Sequence, residues 1–373
     1  MRKKKVLLFH PALAPYLIDQ FNWLKKMFDF ELVFLNDNLW DHKFNQSTLL
    51  SQLECNYSFL LKGIQLKWRV FRFGVYKTIK SSQPDIIFSY EFSFTTLYLI
   101  FLKRLVIIHQ PIGSFIDDSF DMCNNEKSII RKFIRKYSVK HLNYFVLQTQ
   151  DVARYYHDTF SVPYTKTILF PILQDEKRLK KDSKQLEHIA KEYFDKYSIK
   201  GKRVLLFIGR FVSVKALARF IYNISPILQK ENDLLCVLVG EGLERQRIDD
   251  VVKMNSLEEK VIFPGRFENN HLYAWYLCAS AFFLPSIHEP FGAVIIEALI
   301  FGLKVFCSQY AGASSLIGTN GILFNPLNDN ETREKISEFI ESIPPVKTFL
   351  LEDHKSLMFD HESYFEKEWS KVR

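Results

Sequence analysis

Short runs of apolar, β-branched or aromatic residues alternate along this chain with longer stretches whose apolar positions recur every three or four residues. The first kind of run reads as buried strand, the second as amphipathic helix. In the first half the pattern predicts strands at Val6–Phe9, Glu31–Leu35, Asp85–Ser89, Leu105–His109, Tyr144–Gln148 and Thr167–Phe170. In the second half it predicts Arg203–Gly209, Leu234–Val239, Lys260–Phe263, Ala281–Leu284, Lys304–Ser308 and Ile322–Phe324. Several of these runs are almost wholly apolar, as parallel strands covered by helices on both faces are. Two successive series of this kind predict an α/β protein built from two Rossmann-like domains.

The break falls near Phe170–Lys184, where a strand ends at Pro171 and a polar, Lys-rich stretch begins. The expected division is an N-terminal domain over 1–173, a linker and connecting helix over 174–200, a C-terminal domain over 201–353 and a final segment over 354–373. A chain of 373 residues suits two domains of middling size.

Composition adds three points. Phe occurs 35 times, which predicts large buried aromatic clusters. The net charge of +8 is uneven: residues 1–174 carry 23 Lys and Arg against 14 Asp and Glu, whereas 201–373 carry 19 against 22. The basic excess of the first half suits an anionic partner. The five cysteines (55, 123, 236, 278, 307) show no CxxC spacing, which favours buried thiols in a reducing compartment over a disulfide framework or a zinc site.

The start, Met1-Arg-Lys-Lys-Lys5 followed by Val-Leu-Leu-Phe, has the look of a leader segment, and Ala12-Leu13-Ala14 stands where a cleavage site would. His10, Pro11 and Pro15 interrupt the short apolar run, so a first strand ending in a loop is the expectation. The other long apolar run, Phe92–Leu102, stops at Lys103-Arg104 and is too short to span a bilayer.

Chemistry concentrates in two segments. Pro285-Ser-Ile-His-Glu289-Pro-Phe291-Gly292-Ala293-Val-Ile-Ile-Glu297 follows an apolar strand and reads as strand, loop, then helix. Gly292 near the helix start allows close backbone approach, and the unsatisfied N–H groups there favour an anionic ligand. Glu289 just before the helix and Glu297 inside it lie at a strand's carboxyl end, where α/β proteins bind ligands. The plainer alternative is a capped helix with two surface acids. Upstream, Gly209-Arg210-Phe-Val-Ser-Val-Lys215 follows another strand, and two cations near a helix start suit a diphosphate without a metal. Two solvated surface cations would look the same.

Gly209-Arg210 with Lys215, Val239-Gly240-Glu241-Gly242, Phe263-Pro-Gly265 and Glu289-Pro-Phe-Gly with Glu297 occur in the order seen in retaining GT-B glycosyltransferases of family 4, which this chain resembles over roughly 200–330. The resemblance implies a GT-B fold, with two parallel sheets facing a central cleft. It also implies a UDP- or GDP-linked sugar as donor substrate, no cofactor and no metal. Gly209, Arg210 and Lys215 would bind the diphosphate, Glu297 the ribose, and Glu289 would approach the transferred sugar. The Phe291–Ala293 backbone would touch sugar or phosphate, and Gly265-Arg266 would line the base. The final helix would pack back onto the first domain. Departures from the pattern are the lack of paired Gly in the first loop, Ala216 where Gly is usual after Lys215, and no Glu after Gly312. An Asp-x-Asp motif is also missing, which disfavours a metal-dependent alternative.

In the first half, His109 follows the expected strand and opens the loop Gln110–Asp118. In similar enzymes a His at such a strand end reaches the donor sugar, which makes His109 a catalytic candidate beside Glu289; a structural His is the alternative. The loop His10-Pro-Ala-Leu-Ala-Pro-Tyr16, with Asp19 beyond it, is the candidate acceptor loop or simply a stiff turn. On a helix, Lys127–Lys140 would set Arg131, Lys132, Arg135 and Lys136 beside Ile130, Phe133, Ile134 and Tyr137, a face suited either to an anionic membrane or to an ordinary core. No nucleic-acid motif accompanies the charge.

The expected activity is metal-independent hexosyl transfer, with retention, to a saccharide or a polyprenyl- or other lipid-linked glycan in surface polysaccharide synthesis such as that of lipopolysaccharide. The expected location is the cytoplasm, peripheral at the inner face of the membrane. The rivals are a non-catalytic nucleotide-sugar-binding scaffold and a two-carboxylate glycoside hydrolase.

Overall fold

The computed structural model describes residues 2–39, 43–66, 69–118, 123, 128–172, 174–358 and 361–372. It divides into two compact units, Met1–Gln174 with Asp360–Arg373, and Asp175–Phe359. The chain is α/β throughout, and each unit is wound about its own parallel sheet.

The first unit contains β1 (Lys5–His10), β2 (Asp29–Phe34), β3 (Asn56–Phe59), β4 (Gly63–Leu66), β5 (Arg69–Arg72), β6 (Ile86–Tyr90), β7 (Ile112–Ile116), β8 (Tyr144–Leu147) and β9 (Thr167–Leu169). Seven of them form one sheet in the order β3-β2-β1-β6-β7-β8-β9, and β4 and β5 make a separate antiparallel hairpin. The register between β1 and β6 aligns Val6 with Ile86 and Leu8 with Phe88. Leu7, Phe9, Ile87 and Ile112 pack with Leu99, Val139 and Val152 into one core. Trp369 of the helix His361–Trp369 lies buried among Phe28, Phe88, Phe115 and Phe170. The abundant Phe is thus used where this last helix docks on the first unit.

One expected strand is absent. Residues 105–109 follow the helix Phe94–Arg104, which Ser93 caps, and the chain turns at Val106 with φ 58°. The strand is instead Ile112–Ile116, in the segment expected to be loop. Its Gly113 lies under the Phe88 ring, where a Cβ would stand 2.3 Å from a ring carbon. Bare backbone is what lets this strand fit. No helix among the described residues is long and apolar enough to cross a membrane.

The second unit contains β10 (Arg203–Ile208), β11 (Leu234–Val239), β12 (Val261–Gly265), β13 (Ala281–Leu284), β14 (Lys304–Ser308) and β15 (Gly321–Phe324), all parallel, in the order β12-β11-β10-β13-β14-β15. From β10 the chain winds outward through β11 and β12, then returns to β13 on the other side of β10. The reversal leaves the carboxyl ends of β10 and β13 side by side, and such switch points are where open α/β sheets take ligands. All five cysteines are free and buried.

Candidate active site

The two segments singled out in the sequence leave the sheet at this switch point. Gly209, Arg210 and Lys215 follow β10; Glu289, Phe291, Gly292 and Ala293 follow β13. Ile287 N–H donates to the Val214 carbonyl at 2.8 Å, tying the loops together. The Lys215 ammonium is ion-paired to Glu289 Oε2, and both side chains are mostly withdrawn from water, 16% and 13% exposed. Ser286 Oγ, fully buried, lies 3.4 Å from the same carboxylate oxygen. Arg210 stands exposed at the mouth of the β10 loop.

Glu289 is held through its backbone. Gly312 N–H donates to the Glu289 carbonyl at 3.1 Å, and Ala313 N–H donates to that of Phe291 at 2.7 Å. A Cβ on Gly312 would lie 2.1 Å from the Pro290 carbonyl oxygen, so this approach requires glycine. Gly292, at φ 91°, turns the chain into the helix Ala293–Ile300, whose start has no side-chain cap and no acidic residue in its first turn. The N-terminal amides and the helix dipole therefore remain suited to an anion. Glu297 is not a surface acid: it is 8% exposed, and the buried Tyr276 hydroxyl donates to its Oε2 at 2.7 Å.

Gly265 closes β12, and its carbonyl accepts from Gly240 N–H at 2.9 Å, joining the loops after β11 and β12. Arg266 is committed to Glu241 at 3.1 Å and Glu268 at 2.7 Å, so Gly265 is the better candidate of the two for contact with a base. Ala216 occupies a left-handed conformation, φ 51°, at the start of the helix Leu217–Lys230, a geometry that glycine adopts more easily.

In the first unit the structure corrects the placement of His109. It precedes β7 instead of following a strand, so it lies at the amino end of the sheet, exposed, beside Tyr76, Lys80 and Gln83. The premise of its catalytic assignment is lost. His10 does close β1 but is buried between Phe21 and Tyr90, with Nδ1 3.0 Å from the Ala12 carbonyl. Burial lowers its pKa to about 4, so the ring is neutral at physiological pH and Nδ1–H is the donor. Tyr16 and Asp19 are half-buried beyond it.

Sequence reading missed the acids at the carboxyl ends of β6 and β7. Asp117 accepts from Tyr90 Oη at 2.6 Å and from Gln148 Nε2 at 2.8 Å, and its own N–H donates to Glu91 at 2.6 Å. Asp118 is paired with Arg135 at 2.9 Å and accepts from Tyr156 Oη at 2.6 Å. Burial raises the Glu91 and Asp117 pKa values. A strand followed by Asp-Asp would have been the signal had β7 been recognised. A polar hollow also lies beyond β2 and β3, lined by Asn36, Asp37, Lys43 and Gln65. It is braced by Arg72, whose guanidinium reaches the Leu35 and Leu61 carbonyls at 2.6 and 2.8 Å.

The basic stretch forms the helix Ile129–His141; Lys127 lies outside the described residues. Arg135 points inward to Asp118, against expectation, because that buried carboxylate needs a partner. The exposed side instead combines Arg131, Lys132 and Lys136 with Ile129, Ile130 and Phe133, which are 83%, 69% and 70% exposed.

Residues 189–347 match the family described as glycosyl transferases group 1. The 2-deoxystreptamine N-acetyl-D-glucosaminyltransferase of Niallia circulans is 28% identical over 35% of this chain and 34% of its own length. An uncharacterized glycosyltransferase of Methanocaldococcus jannaschii is 32% identical over 34% of this chain and 33% of its own. The chain thus spans about a third of the length of these curated relatives. The solved structure of Anabaena Alr3699/HepE in complex with UDP and glucose superposes with a TM-score of 0.69 at 17% identity, covering 99% of each chain. The architecture is the GT-B fold, and the match to glycosyl transferases group 1 covers the segment that holds Arg210, Lys215, Glu289 and Glu297.

Proposed function

We propose that this protein transfers a hexosyl group from a nucleotide diphosphate sugar to a saccharide or lipid-linked glycan, with retained anomeric configuration, in surface polysaccharide synthesis. The observation that carries the reading is the meeting of Lys215, Glu289 and an uncapped helix start at the switch point of the second sheet. Arg210, Lys215 and the Gly292–Ala293 amides stabilise the departing diphosphate, a role for fixed positive charge that needs no metal. Glu289 orients the sugar or stabilises positive charge at its anomeric carbon, and Glu297 takes the ribose. The HepE structure in complex with UDP and glucose supports a donor of the UDP-hexose kind. The two-carboxylate hydrolase is disfavoured because Glu289 is paired to Lys215 and Glu297 is buried against Tyr276.

The test is to supply a panel of UDP- and GDP-sugars and follow release of the nucleoside diphosphate, with and without saccharide acceptors. Acceptor-stimulated release supports transfer. Cleavage of plain aryl glycosides without use of a nucleotide sugar would favour hydrolysis, and binding without turnover across the panel would favour a scaffold.

The acceptor belongs to the first unit on this reading, and the helix Ile129–His141 holds that unit at the inner face of an anionic membrane. Its exposed Ile129, Ile130 and Phe133 suit the acyl boundary, and Arg131, Lys132 and Lys136 suit acidic headgroups. The protein is expected to sediment with phosphatidylglycerol vesicles and not with phosphatidylcholine vesicles, and Phe133→Asp to weaken that binding several-fold. Equal sedimentation of the variant would remove this helix from the interface.

A further inference from the structure

The buried phenol beside Glu297 has no part in the function proposed so far. Tyr276 lies near the end of the helix Asn269–Leu277 and is fully buried. Its ring is stacked on Phe301 with centroids 5.3 Å apart and planes 2° from parallel, and it touches Phe282 of β13 at 6.1 Å. Phe301 ends the helix that carries Glu297, and β13 leads into the Glu289 loop. The phenol is therefore fixed against β13 and the helix that follows it from the switch point. Burial and the Glu297 carboxylate push its pKa well above the usual range, so it remains an O–H donor.

An ionised carboxylate accepts hydrogen bonds and donates none, and its plane turns freely unless something holds it. The 2.7 Å bond from Tyr276 to Oε2 holds it, and a hydrogen bond to a charged group is of the stronger kind. We infer that Tyr276 is a positioning residue for donor recognition: by fixing one oxygen of Glu297 it orients the carboxylate toward the ribose hydroxyls and sets the preference for a ribonucleotide over a deoxyribonucleotide. This rests on the reading of Glu297 as the ribose acid.

The experiment measures calorimetric affinity for UDP and GDP and for their 2′-deoxy and 3′-deoxy counterparts, in the wild type, Tyr276→Phe, Glu297→Gln and the double variant. Each protein is kept below its own melting temperature. Removing the hydroxyl alone is expected to cut the ribo-to-deoxy preference by about five- to tenfold while deoxynucleotide affinity changes little. The double variant should match Glu297→Gln, because Tyr276 acts through that carboxylate. A purely structural tyrosine would weaken ribo- and deoxynucleotides alike and leave the ratio where it was. An unchanged ratio in Tyr276→Phe beside a collapsed one in Glu297→Gln overturns the inference and spares the ribose reading. An unchanged ratio in Glu297→Gln overturns both. If Tyr276→Phe is too unstable to bind, the double variant carries the test: a ratio below that of Glu297→Gln alone means that Tyr276 acts by another route.

Discussion

Glu289→Ala is expected to lower kcat for transfer by about a thousandfold or more while nucleotide diphosphate affinity stays equal or tightens. The two effects separate because of the Lys215 ion pair. In this structure the ammonium is engaged with Glu289 Oε2, and the same ammonium is the proposed partner of the departing diphosphate. Deleting the carboxylate frees the cation for the nucleotide but removes the group assigned to the sugar. The backbone of this loop should survive, since its bonds from Gly312 and Ala313 go to carbonyls and not to the side chain. Steady-state kinetics with a donor found in the panel, together with calorimetric titration of the free nucleotide, would measure both. Wild-type turnover in this variant would remove Glu289 from the chemistry.

The placement of Gly209, Lys215, Glu289 and Glu297 after β10 and β13 was legible because apolar patterning marks those two strands well. β10, β11 and β13 are buried along their whole length apart from Arg203, so their boundaries show directly in the sequence. Gly209 and Lys215 follow β10, Glu289 follows β13 and Glu297 lies in the helix after it, and only the strand order was needed to bring them together. Pattern reading failed where burial and polarity part company. Residues 105–109 are apolar, yet Leu105, Val106 and Ile107 are exposed, whereas β7 contains Gly and Ser and is fully buried. β3 is exposed along its length, and its polar–aromatic alternation runs over only Asn56–Phe59, too short to stand out in the sequence.

Partnerships that depend on tertiary contact were out of reach. Nothing in Asn269–Leu277 marks Tyr276 as the residue facing Glu297, 21 positions later. Arg135 looked like one more cation on a basic face until the carboxyl end of β7 supplied Asp118 beneath it. His109 changed ends of the sheet with a one-strand error, because the carboxyl end of a strand and the amino end of the next are opposite sides of a parallel domain.

Lys215→Met is expected to weaken nucleotide diphosphate binding by roughly ten- to a hundredfold and to cut transfer further, since a charge-assisted contact to the leaving group is lost. It should also destabilise the second unit by about 1–3 kcal/mol. Glu289 is mostly buried, and removing its partner leaves a carboxylate with the distant hydroxyl of Ser286 for company. The double variant Lys215→Met with Glu289→Gln removes both charges, and buried pairs replaced by neutral groups often regain what one-sided removal costs. Urea unfolding should therefore show the double variant recovering most of the lost stability, while nucleotide-sugar turnover stays absent. This divergence separates a pair kept for catalysis from one kept for folding. If stability and turnover returned together in the double variant, the Lys215–Glu289 pair would be a structural feature of the loop, and the proposed site for the departing diphosphate would lose its central cation.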